Sequence, residues 1–267
     1  AKTAANMTEF ASLGELAITA RNLTTSGARL EAAGNVEVAL ENALTAGGGT
    51  VVAAGRQLDV RSNEMVLAGL LLQADGRVWL DAQNGDVTAD NLTVVSGGTA
   101  GVRVSGQALA LDNTALAATA GDVRLTATAG DLEFDGTAQA EANLNVVARD
   151  DLVLVGQLQG NTGVNAQANA ITSSADVYGG DIAFAALGGD LSITGAVSTP
   201  GDLSLEAGLS ITNTAAFQSG GFTQITAGAS LTNSGVIASA GNLTIGADTL
   251  TNSGDMITSG TLAVTTA

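Results

Sequence analysis

Three carboxylates stand at alternate positions in one short stretch of the chain. The stretch GDLEFDG, residues 130–136, places Asp131, Glu133 and Asp135 around two large apolar residues. If it is a strand with its apolar side chains inward, the carboxylates share the outer face about 7 Å apart. Such a set predicts a Ca²⁺ site or an acid/base pair for sugar cleavage. The next repeat keeps only one acid at the matching positions, so the sequence favours a solvated acidic face.

A second candidate site combines the only tryptophan with arginine. Three residues each stand between two aliphatic residues: Trp79, Arg103 and Arg124. Arg77 lies two residues before Trp79. A guanidinium stacks favourably on an indole ring, and Trp and Arg are enriched at binding hot spots. These four residues are therefore our candidates for binding a partner, although the sequence favours local packing on a loop or a neighbouring coil.

The amino-acid inventory excludes several kinds of enzyme. The chain has no histidine and no cysteine. A serine triad, a cysteine–histidine pair and a histidine zinc site each need one of these residues. We predict no enzyme activity and no cofactor.

Charge and hydropathy exclude two kinds of partner. The formal net charge is −17, and all nine basic residues lie at or before Arg149. A field of this sign repels nucleic acid and anionic lipid. The longest apolar run, MVLAGLLL at Met65–Leu72, is too short to span a bilayer. We predict no membrane insertion, and we interpret this run as a corner around Gly69 rather than as an exposed patch.

These candidate residues must be positioned by a repeat that extends along the whole chain. Thirteen times, two residues that are apolar in every case but Thr223 are separated by one residue, with steps of 18 to 24 residues that average 20.5. The pairs are Leu16/Ile18, Val36/Val38, Leu58/Val60, Val78/Leu80, Val102/Val104, Val123/Leu125, Leu144/Val146, Val164/Ala166, Ile182/Phe184, Leu203/Leu205, Thr223/Ile225, Leu243/Ile245 and Leu262/Val264.

A period near 20 with alternation inside each repeat predicts a parallel β-helix, or β-solenoid, of about 12–13 coils. Alternation puts the aliphatic side chains on one face of a strand, and stacked strands bury that face in a continuous column. A helix is disfavoured because glycine recurs throughout, and each glycine would cost about 1 kcal/mol in a helix interior. We predict one continuous all-β domain over 1–267, with degenerate coils in 1–200 and regular repeats in 201–267.

A second strand is predicted in many coils. Its apolar pairs are Leu109/Leu111, Leu132/Phe134, Leu152/Leu154, Leu191/Ile193 and Leu209/Ile211. In the last coils this strand shrinks to the repeated LTNSG at 231–235 and 250–254. We predict that Asn213, Asn233 and Asn252 stack as a ladder of side-chain amides at a turn.

One coil is longer than the others. The step from Val78 to Val102 is 24 residues, and insertions in a solenoid map to loops on one face. We predict that the extra residues bulge within Asn84–Gly101, beside the tryptophan candidate site.

The regular repeats resemble a known family. The stretch LTNSGVIASAGNLTIGADTLTNSGDMI, residues 231–257, is similar to the repeats of filamentous haemagglutinin-type exoproteins of two-partner secretion. That family includes large adhesins and the filaments of contact-dependent growth inhibition. The resemblance is clear over 201–260 and looser over 1–200.

The resemblance implies a right-handed parallel β-helix, export through an outer-membrane transporter of the two-partner type, and display on the bacterial surface. The family's secretion domain carries Asn-Pro motifs, and here the only proline, Pro200, follows Thr199. We therefore expect an internal shaft segment that projects from the cell, with a cell-surface protein or glycan as partner.

Two other functions are left open by the sequence. A β-helical polysaccharide-degrading enzyme would use the carboxylates of residues 131–135. An ion- or ice-binding solenoid would need a flat, regular array of threonines, whereas the outward column around Trp79 is mixed.

Overall fold

A computed structural model describes residues 9–267 and is all-β. The described residues contain twenty-nine strands and no helix. No membrane-spanning helix is therefore found among them. The chain divides into two compact units, Ala1–Ala142 and Asn143–Ala267.

The first unit holds thirteen strands. They are β1 (Glu9–Ser12), β2 (Leu16–Ser26), β3 (Arg29–Ala32), β4 (Val36–Gly47), β5 (Val51–Ala54), β6 (Leu58–Ser62), β7 (Glu64–Ala74), β8 (Val78–Ala82), β9 (Val87–Ser96), β10 (Val102–Gly106), β11 (Leu109–Ala118), β12 (Val123–Ala127) and β13 (Leu132–Ala140).

The second unit holds the remaining sixteen strands. They are β14 (Asn143–Ala148), β15 (Asp151–Ala168), β16 (Ala170–Ser173), β17 (Asp176–Ala186), β18 (Leu191–Ile193), β19 (Val197–Thr199), β20 (Leu203–Ala207), β21 (Ile211–Asn213), β22 (Ala216–Ser219), β23 (Thr223–Ala227), β24 (Ser230–Asn233), β25 (Val236–Ser239), β26 (Leu243–Gly246), β27 (Thr249–Asn252), β28 (Asp255–Thr258) and β29 (Leu262–Thr265).

Strands from successive coils pair in parallel, and the predicted apolar pairs are in register. In the first unit Leu58 pairs with Val78, and Val78 pairs with Val102. In the second unit Leu203 pairs with Thr223. A β-solenoid of about 13 turns with a period of about 20 residues is thereby confirmed.

The core is a column of small aliphatic side chains. Every inward position of the apolar pairs from Val36 to Ile245 is buried, and the largest fully buried side chains are Phe134, Phe184 and Phe217. Each buried Leu, Val or Ile contributes roughly 1.5–3 kcal/mol relative to exposure. Stacking of equivalent residues thus supplies the stability that a single five-residue strand lacks.

The prediction for one second strand was wrong. Leu191 pairs with Ile211, so the inward pair of that coil is Ile211/Asn213 rather than Leu209/Ile211. Leu209 precedes β21 and is 50% exposed. The register follows from pairing with Leu191 and Ile193 of the preceding coil. The sequence pattern missed the correct pair because Asn213 is polar although it points inward.

The corner predicted at Gly69 is present. Within β7, Met65 and Leu67 point inward before Gly69, and Leu70 and Leu72 point inward after it. Gly69 has φ +63°, a left-handed conformation that turns the strand and changes which alternate positions face the core.

The same corner holds an asparagine ladder that the sequence reasoning missed. Asn91 and Asn113, in the next two coils, also have positive φ, at 54° and 48°. The Asn113 side-chain amide donates a 2.6 Å hydrogen bond to the Asn91 side-chain carbonyl. Asn tolerates this conformation better than most residues, so it replaces glycine here and adds a bond between coils.

The extra residues of the long coil lie at two turns rather than in one bulge. Leu58 and Met65 are seven positions apart, whereas their partners Val78 and Val87 are nine apart, which adds two residues before β9. Ala74 precedes Val78 by four positions, and its partner Ser96 precedes Val102 by six. The middle of Asn84–Gly101 is therefore the regular strand β9.

Candidate functional site

Trp79 lies on the outer face of the first strand of its coil. Its neighbours in register are Asp59 in the coil before and Arg103 in the coil after. Val78 and Leu80 are buried on either side of it in β8, so alternation directs the indole outward. The ring is half-buried rather than fully exposed, because a neighbouring guanidinium covers it.

That guanidinium belongs to Arg77. Its carbon Cζ lies 3.8 Å from the centroid of the Trp79 ring. Its Nε and Nη2 donate hydrogen bonds of 3.0 and 2.8 Å to the two carboxylate oxygens of Asp59. The hydrogen bond to Asp59 raises the pKa of Arg77 above its ordinary value. This two-point ion pair fixes Arg77, and Arg77 in turn fixes the ring.

The other two predicted binding residues continue the same outward column. Arg103 lies 5.9 Å from the centroid of the Trp79 ring, within the range of a cation–π contact. Arg124 is the register neighbour of Arg103 and forms its own 2.7 Å ion pair with Asp122. The structure therefore brings Arg77, Trp79 and Arg103 into one group, and it engages Arg124 with a carboxylate beside that group.

The group borders a shallow depression that sequence reasoning did not identify. We call it the Trp79 depression; it is lined by Asp59, Val60, Arg61, Trp79, Asp81, Gln83 and Arg103. Arg61 and Asp81 are register neighbours in the next outward column of the same strands, two residues along from Asp59 and Trp79. Counting one more alternate position along each strand would have found them.

Asp131, Glu133 and Asp135 are all exposed at and around β13. No group of three or more carboxylates within residues 9–267 is arranged to hold a metal ion. The geometry therefore gives the predicted metal site no support and agrees with a solvated acidic face.

The amide ladder predicted for the last coils is present. The Asn213 amide donates a 2.7 Å hydrogen bond to Asn233, and the Asn233 amide donates a 2.7 Å bond to Asn252. Asn213 and Asn233 are buried. Asn233 also donates to the Gly235 carbonyl, so the ladder joins the coils to one another and each coil to its own turn.

A regular array of hydroxyl groups covers the outside of this ladder. Thr212, Thr232 and Thr251 are stacked in register, and Ser or Thr also stands two positions before and two positions after each of them. We call this the hydroxyl face: Ser210, Thr212, Thr214, Ser230, Thr232, Ser234, Thr249, Thr251 and Ser253. The regular array that the Trp79 column lacks is thus present on a different strand.

The chain was compared with protein-family models, with curated proteins and with solved structures. No match was found in any of the three comparisons. The functional argument therefore rests on the geometry of the coils and of the Trp79 depression.

Proposed function

We propose that this chain is a shaft segment of a secreted bacterial surface filament and that it presents a binding face around Trp79 to a cell-surface partner. The observation that carries the proposal is a contrast. The buried residues of the coils are mostly apolar, whereas the outward face around Trp79 combines acidic, basic and aromatic side chains. A solenoid spans distance because each coil needs only its neighbours for burial. The resemblance of residues 201–260 to filamentous haemagglutinin-type repeats supports surface display and export by a two-partner transporter.

The binding face has the composition of a recognition site. It combines an aromatic ring, two guanidiniums and a depression on a rigid sheet. Trp and Arg are enriched among residues that dominate binding energy. The proposal includes no catalytic step, so incubation with acidic and neutral glycans should release no reducing sugar.

Binding of the labelled chain to bacterial and host cells tests the binding face. We expect saturable binding that Trp79→Ala weakens at least tenfold. Tyr178→Ala is the matched control, because Tyr178 is also an outward strand aromatic and is 42% exposed. Equal binding by wild type and Trp79→Ala would contradict the assignment of this face.

Display is tested on intact cells that make the protein. External protease should cleave this region without lysis, since a surface filament is accessible from outside. Protection until the cells are lysed would contradict the proposed location.

A further inference from the structure

We propose that the Trp79 depression binds a saccharide that carries a single carboxylate among neutral sugars. This inference rests on the proposed function, because it names the partner of the same face. It is carried by two arginines without an ion pair, a fixed indole ring and two polar groups with free acceptor capacity, all lining one depression.

The first step concerns the arginines. In residues 9–267, four of the eight arginines form ion pairs. The other four are Arg56, Arg61, Arg103 and Arg149. Arg61 and Arg103 line the depression together, and both are exposed. A guanidinium offers donors in a planar fork that matches a carboxylate, so these two side chains predict an acidic group on the ligand.

The second step concerns the acceptors. Asp81 receives a 2.7 Å hydrogen bond from the Ser105 hydroxyl at Oδ1, and its Oδ2 accepts none within the described part of the chain. Gln83 is exposed beside it and adds a side-chain carbonyl. These acceptors can receive hydrogen bonds from hydroxyl or amide donors of the ligand. A sugar ring supplies several hydroxyl groups close to its carboxylate, whereas an acidic peptide would bring further carboxylates against Asp81.

The third step concerns total charge. The chain carries −17, so a highly charged polyanion is repelled at long range even though two guanidiniums attract it locally. One carboxylate in an otherwise neutral oligosaccharide keeps the local attraction and avoids most of the repulsion. The Trp79 ring, already fixed by Arg77, provides an apolar edge for the sugar without a further ordering cost.

Titration of intrinsic fluorescence tests the inference, because Trp79 is the only tryptophan. The probes are 3′-sialyllactose and a glucuronic acid-containing trisaccharide, which distinguish two sources of the same chemistry. Lactose is the neutral control. We expect saturable binding of at least one acidic probe at millimolar or lower concentration, and at least tenfold weaker binding of lactose.

Two variants locate the site on the folded chain. Arg61→Gln and Arg103→Gln each should weaken binding of the acidic probe at least fivefold, because both side chains are exposed and the fold is kept. Arg149→Gln is the matched control, since Arg149 is also exposed and without an ion pair; it should bind like wild type. An equal loss in all three variants would indicate general electrostatics and overturn the site.

Other outcomes are equally decisive. Tighter binding of tetraglutamate than of either acidic trisaccharide would assign the face to acidic peptides and overturn the inference. Tighter binding of a heparin oligosaccharide would overturn the argument from total charge. If cell binding depends on Trp79 but no acidic trisaccharide binds, the proposed function stands and this inference fails. If a trisaccharide binds but cells do not, the inference stands and the proposed adhesive function fails.

Discussion

The coils over 58–127 and the coils over 203–258 have the same kind of aliphatic core but carry chemically different outward side chains. In 58–127 the outward column of the first strand reads Asp59, Trp79, Arg103 and Arg124, and the ion pair between Arg77 and Asp59 joins two coils on this face. In 203–258 the outward positions are mainly Ser, Thr and Gln, and an asparagine ladder that is buried at Asn213 and Asn233 joins the coils. The inward column fixes the coil, so the outward positions are free to differ.

The largest effect is expected where the regular coils depend on a buried polar contact. Asn233→Ala removes the central amide of the ladder, so the buried Asn213 amide loses its acceptor, whereas the exposed Asn252 can bond water instead. One unsatisfied buried group costs roughly 1–3 kcal/mol, so we expect a loss of about 2 kcal/mol in the free energy of unfolding. Denaturant unfolding followed by circular dichroism measures it.

Asn165→Ala is the matched control for this ladder. Asn165 also donates to an asparagine one coil away, Asn145, but at 3.4 Å and on the exposed face. We expect a loss below about 0.5 kcal/mol, as for most surface substitutions. Equal losses in the two variants would show that burial does not distinguish the two amide contacts.

Sequence reasoning predicted the inward side of both regions better than the outward side. The apolar pairs follow from the alternation and the period, both of which can be read directly from the sequence. In the structure, the predicted pairs of successive coils lie in register. The error at Leu209 arose where a polar residue took an inward position. Asn213 is stable there because Asn233 in the next coil accepts a hydrogen bond from its amide, and the backbone N–H of Ala215 in its own turn donates to its side-chain oxygen.

The Trp79 depression was only partly predictable for a related reason. Trp79 and Arg103 share a column that a period near 20 reveals. The contact of Arg77 with Asp59 joins residues 18 positions apart in sequence, from adjacent coils and different columns. Neither residue type nor spacing specifies the pairing of Arg77 with Asp59. It forms because the Arg77 side chain is long enough to extend over the Trp79 ring to the Asp59 carboxylate.

An intermediate effect is expected at this ion pair. Asp59→Asn removes the charge that holds Arg77 over Trp79. Both side chains are mostly buried, at 23% and 17% exposure, and we expect a loss of about 1 kcal/mol after allowance for solvent screening. The emission of the single tryptophan should also change, because the guanidinium leaves the ring.

Asp81→Asn separates this effect from a general loss of negative charge. Asp81 lies in the next outward column of the same face and does not hold Arg77. Its substitution should leave the tryptophan emission close to that of wild type. An unchanged spectrum in Asp59→Asn would mean that Arg77 stays on the ring without its carboxylate partner.

The smallest effect is expected at Arg124, which continues the column with an exposed ion pair. The Arg124 side chain is 60% exposed, and exposed ion pairs contribute about 0–1 kcal/mol. Arg124→Gln should therefore change the free energy of unfolding by less than about 0.5 kcal/mol and leave tryptophan emission unchanged. Its effect on acidic trisaccharide binding should also be below twofold, since Asp122 already engages the guanidinium. A fivefold loss of binding would extend the recognition face by one coil and show that the ligand competes with Asp122.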